Sequence, residues 1–341
     1  MPSATGSLSQ PSRVPRWKVV IAALSIGYTL FMAAWLAARN LWFDTWWPLA
    51  LINTFALYLF TPLGLLLPLA LLTRWRWLLI ITALPAFVFL YFFGGRFLPN
   101  AAFGLSGPTV RAMTLNMWWR NIDHAAQVAA IRAADADLIG FQEFTDQHHA
   151  ALAQELALDY PHQYYRPHPY ITSVALFSRY PIESAEPVEL PPLDFALHAV
   201  VNVEGRRLHV LVAHLSANNM LNYPPEQFVD LVQERYAFRA TETERLAERL
   251  GALSEPAILL CDCNLADTSQ AYVILARAAT DSFAEAGWGF GHSLSIEALE
   301  FPIQRIDYVW HTAGLAALEA GVGQPTGSDH LPVWATLQFV E

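Results

Sequence analysis

The hydrophobic pattern of the chain changes abruptly near Pro99. Before it, three long uncharged runs follow one another: Val19 to Ala38, Thr45 to Thr73 and Trp77 to Gly95. As a helix rising 1.5 Å per residue, about twenty apolar residues span ~30 Å, the hydrocarbon thickness of a bilayer. The runs predict a three-helix transmembrane anchor over 19–95, with spans at about 19–38, 46–72 and 77–95. Arg74, Trp75 and Arg76 leave room only for a tight turn between the second and third. Trp17, Trp42, Trp46, Trp47, Trp75 and Trp77 sit at the span ends, where an amphipathic indole is favoured at the headgroup level. Pro48, Pro62, Pro68 and Pro85 are tolerated in lipid-buried bundles. A cleaved signal peptide also starts with basic residues, but its apolar core is only about 7 to 15 residues long, and here two further runs follow. A retained anchor is therefore expected.

After the third run, Gly94, Gly95, Pro99, Asn100, Gly104, Gly107 and Pro108 mark a linker over 96–109. From Val110 onward short apolar runs alternate with helical patterns. Ala112 to Met117, Leu138 to Phe141, Ser173 to Phe177, Ala199 to Val203, Leu208 to Ala213, Ala257 to Cys261, Ile306 to Trp310 and Leu331 to Phe339 read as strands. Ala125 to Ala134, Thr145 to Leu156, Gln227 to Leu253 and Ser269 to Ala278 read as helices. This alternation predicts an α/β domain over 110–341. Ala199 to Val203 and Leu208 to Ala213, joined by Glu204 to Arg207, read as a hairpin, so the sheets should be mixed and largely antiparallel.

Charge divides at the same point. Residues 1 to 99 hold seven basic side chains (Arg13, Arg16, Lys18, Arg39, Arg74, Arg76, Arg96) and one acid, Asp44, a balance of +6; 13 basic and 29 acidic residues remain for 100 to 341, a balance of −16. The overall −10 thus describes neither part, and all 11 histidines lie in the second, where the chemistry must be. Arg13, Arg16 and Lys18 before the first span, and Arg74 and Arg76 after the second, outnumber Arg39 alone between the first two. The positive-inside rule then predicts a multi-pass cell-membrane protein with 1–18 in the cytoplasm and the second part outside it. An acidic domain argues against a protein that coats nucleic acid, since such binding depends on Lys and Arg neutralising phosphates. Two cysteines, Cys261 and Cys263, are too few for a disulfide scaffold or a zinc ribbon.

Polar residues gather where predicted strands end: Asn116, Gln142 and Glu143, His214, Asp262 and Asn264, and Asp329 and His330 just before the last strand. Rigid scaffolds present functional groups at such positions. Each residue alone has an ordinary reading. Asn116 suits a turn, Glu143 the first turn of a helix capped by Thr145, Asp262 and Asn264 a loop capping the next helix, and His214 a half-buried core histidine. Asp329 with His330 suits a solvated turn, and Asp307 a sheet-edge carboxylate. Together, and in this order, they point to one site.

At these residues the chain resembles the endonuclease/exonuclease/phosphatase superfamily, which includes deoxyribonuclease I, exonuclease III and neutral sphingomyelinases. The matching segments are TLNMWW (114–119), DLIGFQEF (137–144), VALFSRYPI (174–182), VAHLSANN (212–219), ILLCDCNLAD (258–267), RIDYVW (305–310) and GSDHLPV (327–333). The resemblance covers about 110–341 and implies a four-layer α/β sandwich, two mixed sheets flanked by helices. It further implies Mg²⁺ (Mn²⁺ as substitute) bound by Glu143 with Asn116 beside it and Asp329 at or near the metal. Asp262 and Asn264 would orient the attacking water and the phosphate. His330 would be general base or phosphate-polarising imidazole, oriented by Asp307, and His214 a proton donor to the leaving group or a nonbridging oxygen. Such hydrolysis needs a hard cation on the phosphoryl oxygens, a base for water and a donor for the leaving oxygen, and carboxylate and amide oxygens suit Mg²⁺. Arg179 and Arg305 suit either a phosphate contact or a structural ion pair, and the structural reading is preferred. The family usually has Gly before the Asp and a bulky apolar residue after it; Cys261 and Cys263 stand there instead and are expected as two buried thiols, not a disulfide.

The expected activity is a membrane-anchored, divalent-metal-dependent phosphoesterase acting on phosphodiester or phosphomonoester bonds, with the bilayer and a phosphate ester as partners and no protein partner indicated. A lipid headgroup is favoured by the anchor and by Tyr164, Tyr165, Tyr170, Tyr223 and Phe228, which would dip into the interface. An extracytoplasmic nuclease, or a noncatalytic receptor or scaffold on the same fold, are the alternatives.

Overall fold

A computed structural model describes residues 14–98, 107–167, 173–191, 194–218, 220, 223–296, 299 and 301–340. Two compact units emerge: Met1–Leu41 with Ala56–Phe92, and Trp42–Phe55 with Phe93–Glu341. The apolar part forms helix α1 (Arg16–Trp42), a short α2 (Trp47–Thr54), a 3-10 turn (Ala56–Phe60), α3 (Leu63–Thr73) and α4 (Arg76–Phe93), with a second 3-10 turn ending at Phe97. Among the described residues, three stretches are long and apolar enough to cross a membrane: Arg16–Trp42, Ala56–Thr73 and Arg76–Phe97.

In the first unit, Ile21, Ala22, Ala70 and Leu78 pack together, and Trp35 meets Phe60 and Phe92 with ring centroids 6.0 Å apart in each pair. Leu24, Leu30, Leu65, Leu72, Ile80 and Phe87 remain exposed. So many large apolar side chains facing outward is the reverse of a water-soluble bundle's surface. Thr82 Oγ1 donates to the Leu78 carbonyl one turn back at 2.8 Å, and Thr29 Oγ1 donates across to the Ile81 carbonyl at 3.2 Å.

The second apolar run differs from the single span expected over 46–72. Here α2 ends at Thr54, and the long apolar stretch begins at Ala56. Asn53 gives the reason. It is fully buried in the second unit, where its side-chain amide donates to Asp44 Oδ1 at 2.8 Å and its carbonyl accepts from the Thr268 hydroxyl. Pro48, at the start of α2, fixes φ where no backbone donor is needed.

The second unit continues with β1 (Thr109–Asn116), α5 (His124–Ala134), β2 (Leu138–Phe144), α6 (Asp146–Glu155), β3 (His162–Tyr165), β4 (Ser173–Ser178), β5 (Ile182–Leu190), β6 (Asp194–Val203), β7 (Arg206–His214), α7 (Phe228–Gly251), β8 (Ala257–Asp262), α8 (Gln270–Leu275), β9 (Thr280–Asp281), α9 (Ser282–Ala286), β10 (Asp307–His311), β11 (Leu315–Val322) and β12 (Val333–Phe339). Two six-stranded sheets result, in the orders β11-β12-β1-β2-β4-β3 and β5-β6-β7-β8-β10-β9. Only β1 with β2 and β7 with β8 pair in parallel; the other pairs are antiparallel, as the hairpin at β6 and β7 leads one to expect.

The sheets share one apolar core, in which Ala112, Leu138 and Leu176 meet Leu197, Val210, Val212 and Leu260. Their outer faces are covered by helices: Val128 and Ile131 of α5 and Leu152 of α6 on Ile139 and Phe141, and Leu246 and Leu250 of α7 with Leu275 of α8 on Leu259 and Trp310. Apolar residues on both faces of the central strands explain their continuous hydrophobic runs. Gly140 lets the sheets approach, since a Cβ there would lie 2.7 Å from Leu260 Cβ.

Of the aromatics expected at a lipid interface, Tyr223 and Phe228 pack instead with Ala50, Val232 and Tyr236. Tyr164 packs against the inter-sheet core, Tyr165 donates to Asp146 Oδ1 at 2.9 Å, and Tyr170 lies outside the described residues.

Candidate active site

The topology brings the polar strand ends together. Asn116 ends β1 beside Gln142 of β2. In the other sheet, His214 and Asp307 flank Asp262 on the two strands paired with β8. Thus one edge of each sheet supplies chemistry to a shared site. Asn116, Asp262, Asp307 and His330 are buried, whereas Glu143, His214, Asn264 and Asp329 are half-buried.

Asp262 is the hub. Its Oδ2 accepts from Asn116 Nδ2 at 2.8 Å and lies 3.4 Å from His214 Nε2 and 3.9 Å from His330 Nε2, while Oδ1 accepts from the Asn264 backbone N–H at 3.2 Å. Asn264 Nδ2 donates to the Leu215 carbonyl at 3.0 Å. His330 Nδ1 lies 2.9 Å from Asp307 Oδ2, an arrangement that fixes Nδ1–H and turns Nε2 toward Asp262. Asp307 Oδ1 is buried without a hydrogen-bond partner.

Glu143 joins this network through Asn116, whose Nδ2 lies 3.3 Å from Glu143 Oε1; the Trp119 backbone N–H donates to Oε2 at 3.0 Å. The β2–β4 register slips between Phe141 and Phe144, and Glu143 adopts φ +50°. An irregularity of this kind redirects a side chain out of the sheet's alternation. Asn264 has φ +49°. Non-glycine residues hold such a conformation only when their surroundings impose it, and they cluster at functional sites. Ser328 Oγ donates to the Asn116 carbonyl at 2.8 Å and accepts from the His330 N–H at 3.0 Å, so the Ser328–His330 turn is fastened to β1.

Burial, followed by the neighbouring Asp307 carboxylate, raises Asp262 above the ordinary carboxylate range. Burial also raises Asp329, opposed by His330 and reinforced by Glu143 and Asp262. For His330 burial acts downward, but Asp307 and Asp262 outweigh it and push the imidazole up to about 10. Crowded carboxylates with one unpartnered oxygen are what a divalent cation would relieve. Asp262, Asp307 and His330 offer one ligand atom each within 4.8 Å of one another, a cluster capable of coordinating a divalent metal among the described residues. Glu143 and Asp329, expected at the metal, border this cluster and are not members of it.

Supporting residues brace these groups, and two of them, Glu242 and Arg239, lie outside the matching segments of the sequence. Gln142 ties the sheets together, accepting from Thr114 Oγ1 at 3.1 Å and donating to the Leu260 carbonyl at 3.3 Å. On α7, Glu242 accepts from the Ser216 N–H (2.8 Å) and hydroxyl (2.7 Å), while Arg239 Nε donates to the Ser216 carbonyl at 2.9 Å, which fastens the loop after His214. Their signal was charge on the inward stripe of an amphipathic helix. Arg179 and Arg305 are structural, pairing with Asp135 and Asp137 and with Asp281 respectively.

One expectation is corrected. Cys261 and Cys263 are joined as a disulfide around Asp262, not left as two thiols. Alternate side chains share a face, and the chain turns after Asp262 so that the two Cα atoms approach to 5.1 Å, within the disulfide range.

The model of the endonuclease/exonuclease/phosphatase family matches residues 113–330. Among solved structures, an endonuclease/exonuclease/phosphatase from Beutenbergia cavernae is 20% identical and superposes with a TM-score of 0.53, covering 68% of this chain and 72% of that one. The human Nocturnin catalytic domain (17% identical, TM-score 0.52, 70% and 97% covered) and sphingomyelinase C from Streptomyces griseocarneus (18%, 0.51, 67% and 99%) share the fold. A search of curated protein sequences found no match. With its family match spanning every segment from β1 to His330, the chain belongs to the endonuclease/exonuclease/phosphatase family.

Proposed function

We propose that this protein is a membrane-anchored, Mg²⁺-dependent phosphoesterase that hydrolyses the ester of a lipid headgroup. The observation that carries the reading is the convergence of Asp262, Asp307 and His330, with Asn116 and His214 in contact with Asp262, at one edge of both sheets. Glu143 and Asp329, half-buried carboxylates at the border of the cluster, would hold the cation with Asn116, while His330 Nδ1 and Asp307 Oδ2 stay engaged with each other. When bound, the cation neutralises phosphoryl oxygens and lowers the cost of charge in the transition state.

The protein groups then divide the remaining work. Asp262, raised by burial and by Asp307, is the base nearest the site and accepts the proton of the attacking water. Asn264 orients that water and the phosphate. His330, held protonated, polarises a nonbridging oxygen through Nε2. His214 Nε2 donates to the leaving oxygen.

The membrane reading is supported by the three long apolar stretches and their outward apolar side chains. Two of these stretches, Ala56–Thr73 and Arg76–Phe97, separate Trp42–Phe55 from the chain after Phe97, which would put both on one side of a bilayer, in keeping with their membership of one compact unit. The excess of basic residues at 13, 16, 18, 74 and 76 supports placing that side outside the cytoplasm. Anchoring favours a substrate already in the bilayer, and the −16 balance disfavours nucleic acid.

The test is hydrolysis by the full chain in detergent or lipid discs, using phospholipid, nucleic-acid and small diester substrates with Mg²⁺ or chelator. Lipid substrate should turn over fastest and only with metal; preference for DNA or RNA would contradict the substrate. Glu143→Gln should raise the Mg²⁺ concentration for half-maximal rate by about tenfold or more, with kcat recovering at saturating Mg²⁺. An unchanged Mg²⁺ midpoint would move the cation to Asp262, Asp307 and His330.

A further inference from the structure

Two short segments next to the apolar helices converge on one catalytic loop. Residues 264–270 begin with Asn264, two residues past Asp262 at the end of β8, and end at the first residue of α8. From the segment between the first two apolar stretches, Asp44 Oδ2 accepts from the Gln270 N–H and the Asn53 carbonyl accepts from the Thr268 hydroxyl. From the 3-10 turn that follows α4, the Arg96 guanidinium pairs with Asp267, with both side chains largely buried. All of these residues belong to the second unit.

Both segments are themselves fixed. Asn53 Nδ2 holds Asp44 Oδ1 at 2.8 Å, Thr54 Oγ1 meets Tyr236 Oη at 2.6 Å, and Ala50 packs with Val232 and Tyr236 of α7. The Arg96 carbonyl accepts from the Gly289 N–H at 3.0 Å, and Phe97 stacks edge-on against Phe290 at 5.3 Å. Three positions of the loop, 267, 268 and 270, are therefore gripped from outside it. At its near end, Asn264 sits at φ +49°, a conformation that needs restraint to persist.

We propose that the segment 44–53 and Arg96 are positioning elements of the active site, clamping loop 264–270 so that Asn264 keeps its orientation toward Asp262. The apolar helices thereby supply more than attachment: the chain on either side of them completes the catalytic loop. The inference rests on the phosphoesterase reading for its consequence in rate, and on the contacts alone for its consequence in loop order. A misplacement of about 1 Å in a positioned group can lower a rate by as much as about 10²-fold, so partial release of the loop should reach about tenfold.

The experiment uses the full chain in lipid discs and compares wild type with Arg96→Gln, Asp44→Asn, Asp267→Asn, the double variant Arg96→Gln with Asp267→Asn, and the conservative Arg96→Lys. Steady-state hydrolysis and amide hydrogen exchange are both measured. Arg96→Gln and Asp44→Asn should each lower kcat by about tenfold, with KM and the Mg²⁺ midpoint within about twofold of wild type. The double variant should be no worse than the poorer single one, and Arg96→Lys should keep at least about half the rate. Exchange should accelerate about tenfold or more within 264–270 and stay unchanged in β1 and β8. Unchanged kcat, unchanged exchange in the loop, or acceleration spread evenly through the sheets would each overturn the clamp. If wild type hydrolyses no ester, the phosphoesterase reading fails; localised exchange in the variants then still upholds the grip on the loop, and its absence overturns it.

Discussion

Replacing His330 by alanine should lower kcat by about 10²–10⁴-fold, the range for loss of a positioned acid or base. The imidazole is the side chain that hydrogen-bonds Asp307 while facing Asp262 from 3.9 Å. Its removal leaves Asp307, fully buried, with neither side-chain oxygen paired, so a loss of stability of about 1–3 kcal/mol should accompany the loss of rate. His330→Gln separates the two effects, because an amide can still donate to Asp307. It should recover most of the stability and little of the rate, measured by thermal unfolding and by steady-state hydrolysis. Recovery of both would assign His330 a structural part only.

The second large effect concerns stability. Arg305 and Asp281 form an ion pair with both side chains almost fully buried, and the guanidinium lies 4.9 Å from the Phe283 ring centroid and 4.4 Å from that of Tyr308. Arg305 Nε and Nη1 have no hydrogen-bond partner, so Asp281 is its main compensation. Asp281→Asn strands that charge and should cost about 3–5 kcal/mol, a fall in melting temperature on the order of 10 °C for a domain of this size. Burial alone would raise the Asp281 carboxyl, but Arg305, its hydrogen bond and Arg96 outweigh it and hold the group below the ordinary range. A depressed carboxylate contributes stability above its unfolded value of about 3.9 and loses it as pH falls through the folded value. Wild type should therefore lose stability below about pH 4 more steeply than Asp281→Asn. Parallel acid limbs for the two proteins would contradict the pairing.

Most of the catalytic unit could be read from the sequence because its central strands are apolar on both faces and end in polar residues. β1, β2, β7, β8, β10 and β12 lie where the runs place them, and every predicted site residue stands at or beside one of their ends. What escaped lies at edges and crossings. β5 carries Glu183, Glu186, Pro187 and Glu189, composition that suits an exposed strand at the margin of a sheet and hides its pattern. β11, Leu-Ala-Ala-Leu-Glu-Ala-Gly-Val, has the composition of a helix; the antiparallel pairing with β12 makes it a strand. The segment 47–54 reads as membrane by hydropathy alone, and the hydrogen bonds of Asn53 to Asp44 and Thr268, with the packing of Ala50 on Val232 and Tyr236, reveal that it belongs with the catalytic fold. Local composition carries no record of such distant partners. Likewise the buried Glu242 and Arg239 on α7 are legible as charges on an apolar stripe, yet their target, Ser216, is defined only by the fold.

The family assignment and the site geometry meet in one claim, that Asp262, Asp307 and His330 serve a cation-dependent hydrolysis of phosphate esters. The most direct measurement is phosphate-ester turnover by the full-length wild type and His330→Ala, each with Mg²⁺ and with chelator, over lipid, nucleic-acid and small diester substrates. The account predicts turnover by wild type that chelator abolishes and Mg²⁺ restores, and at least about 10²-fold less in the variant under every condition. Turnover that persists in chelator, or a variant as fast as wild type, would contradict it.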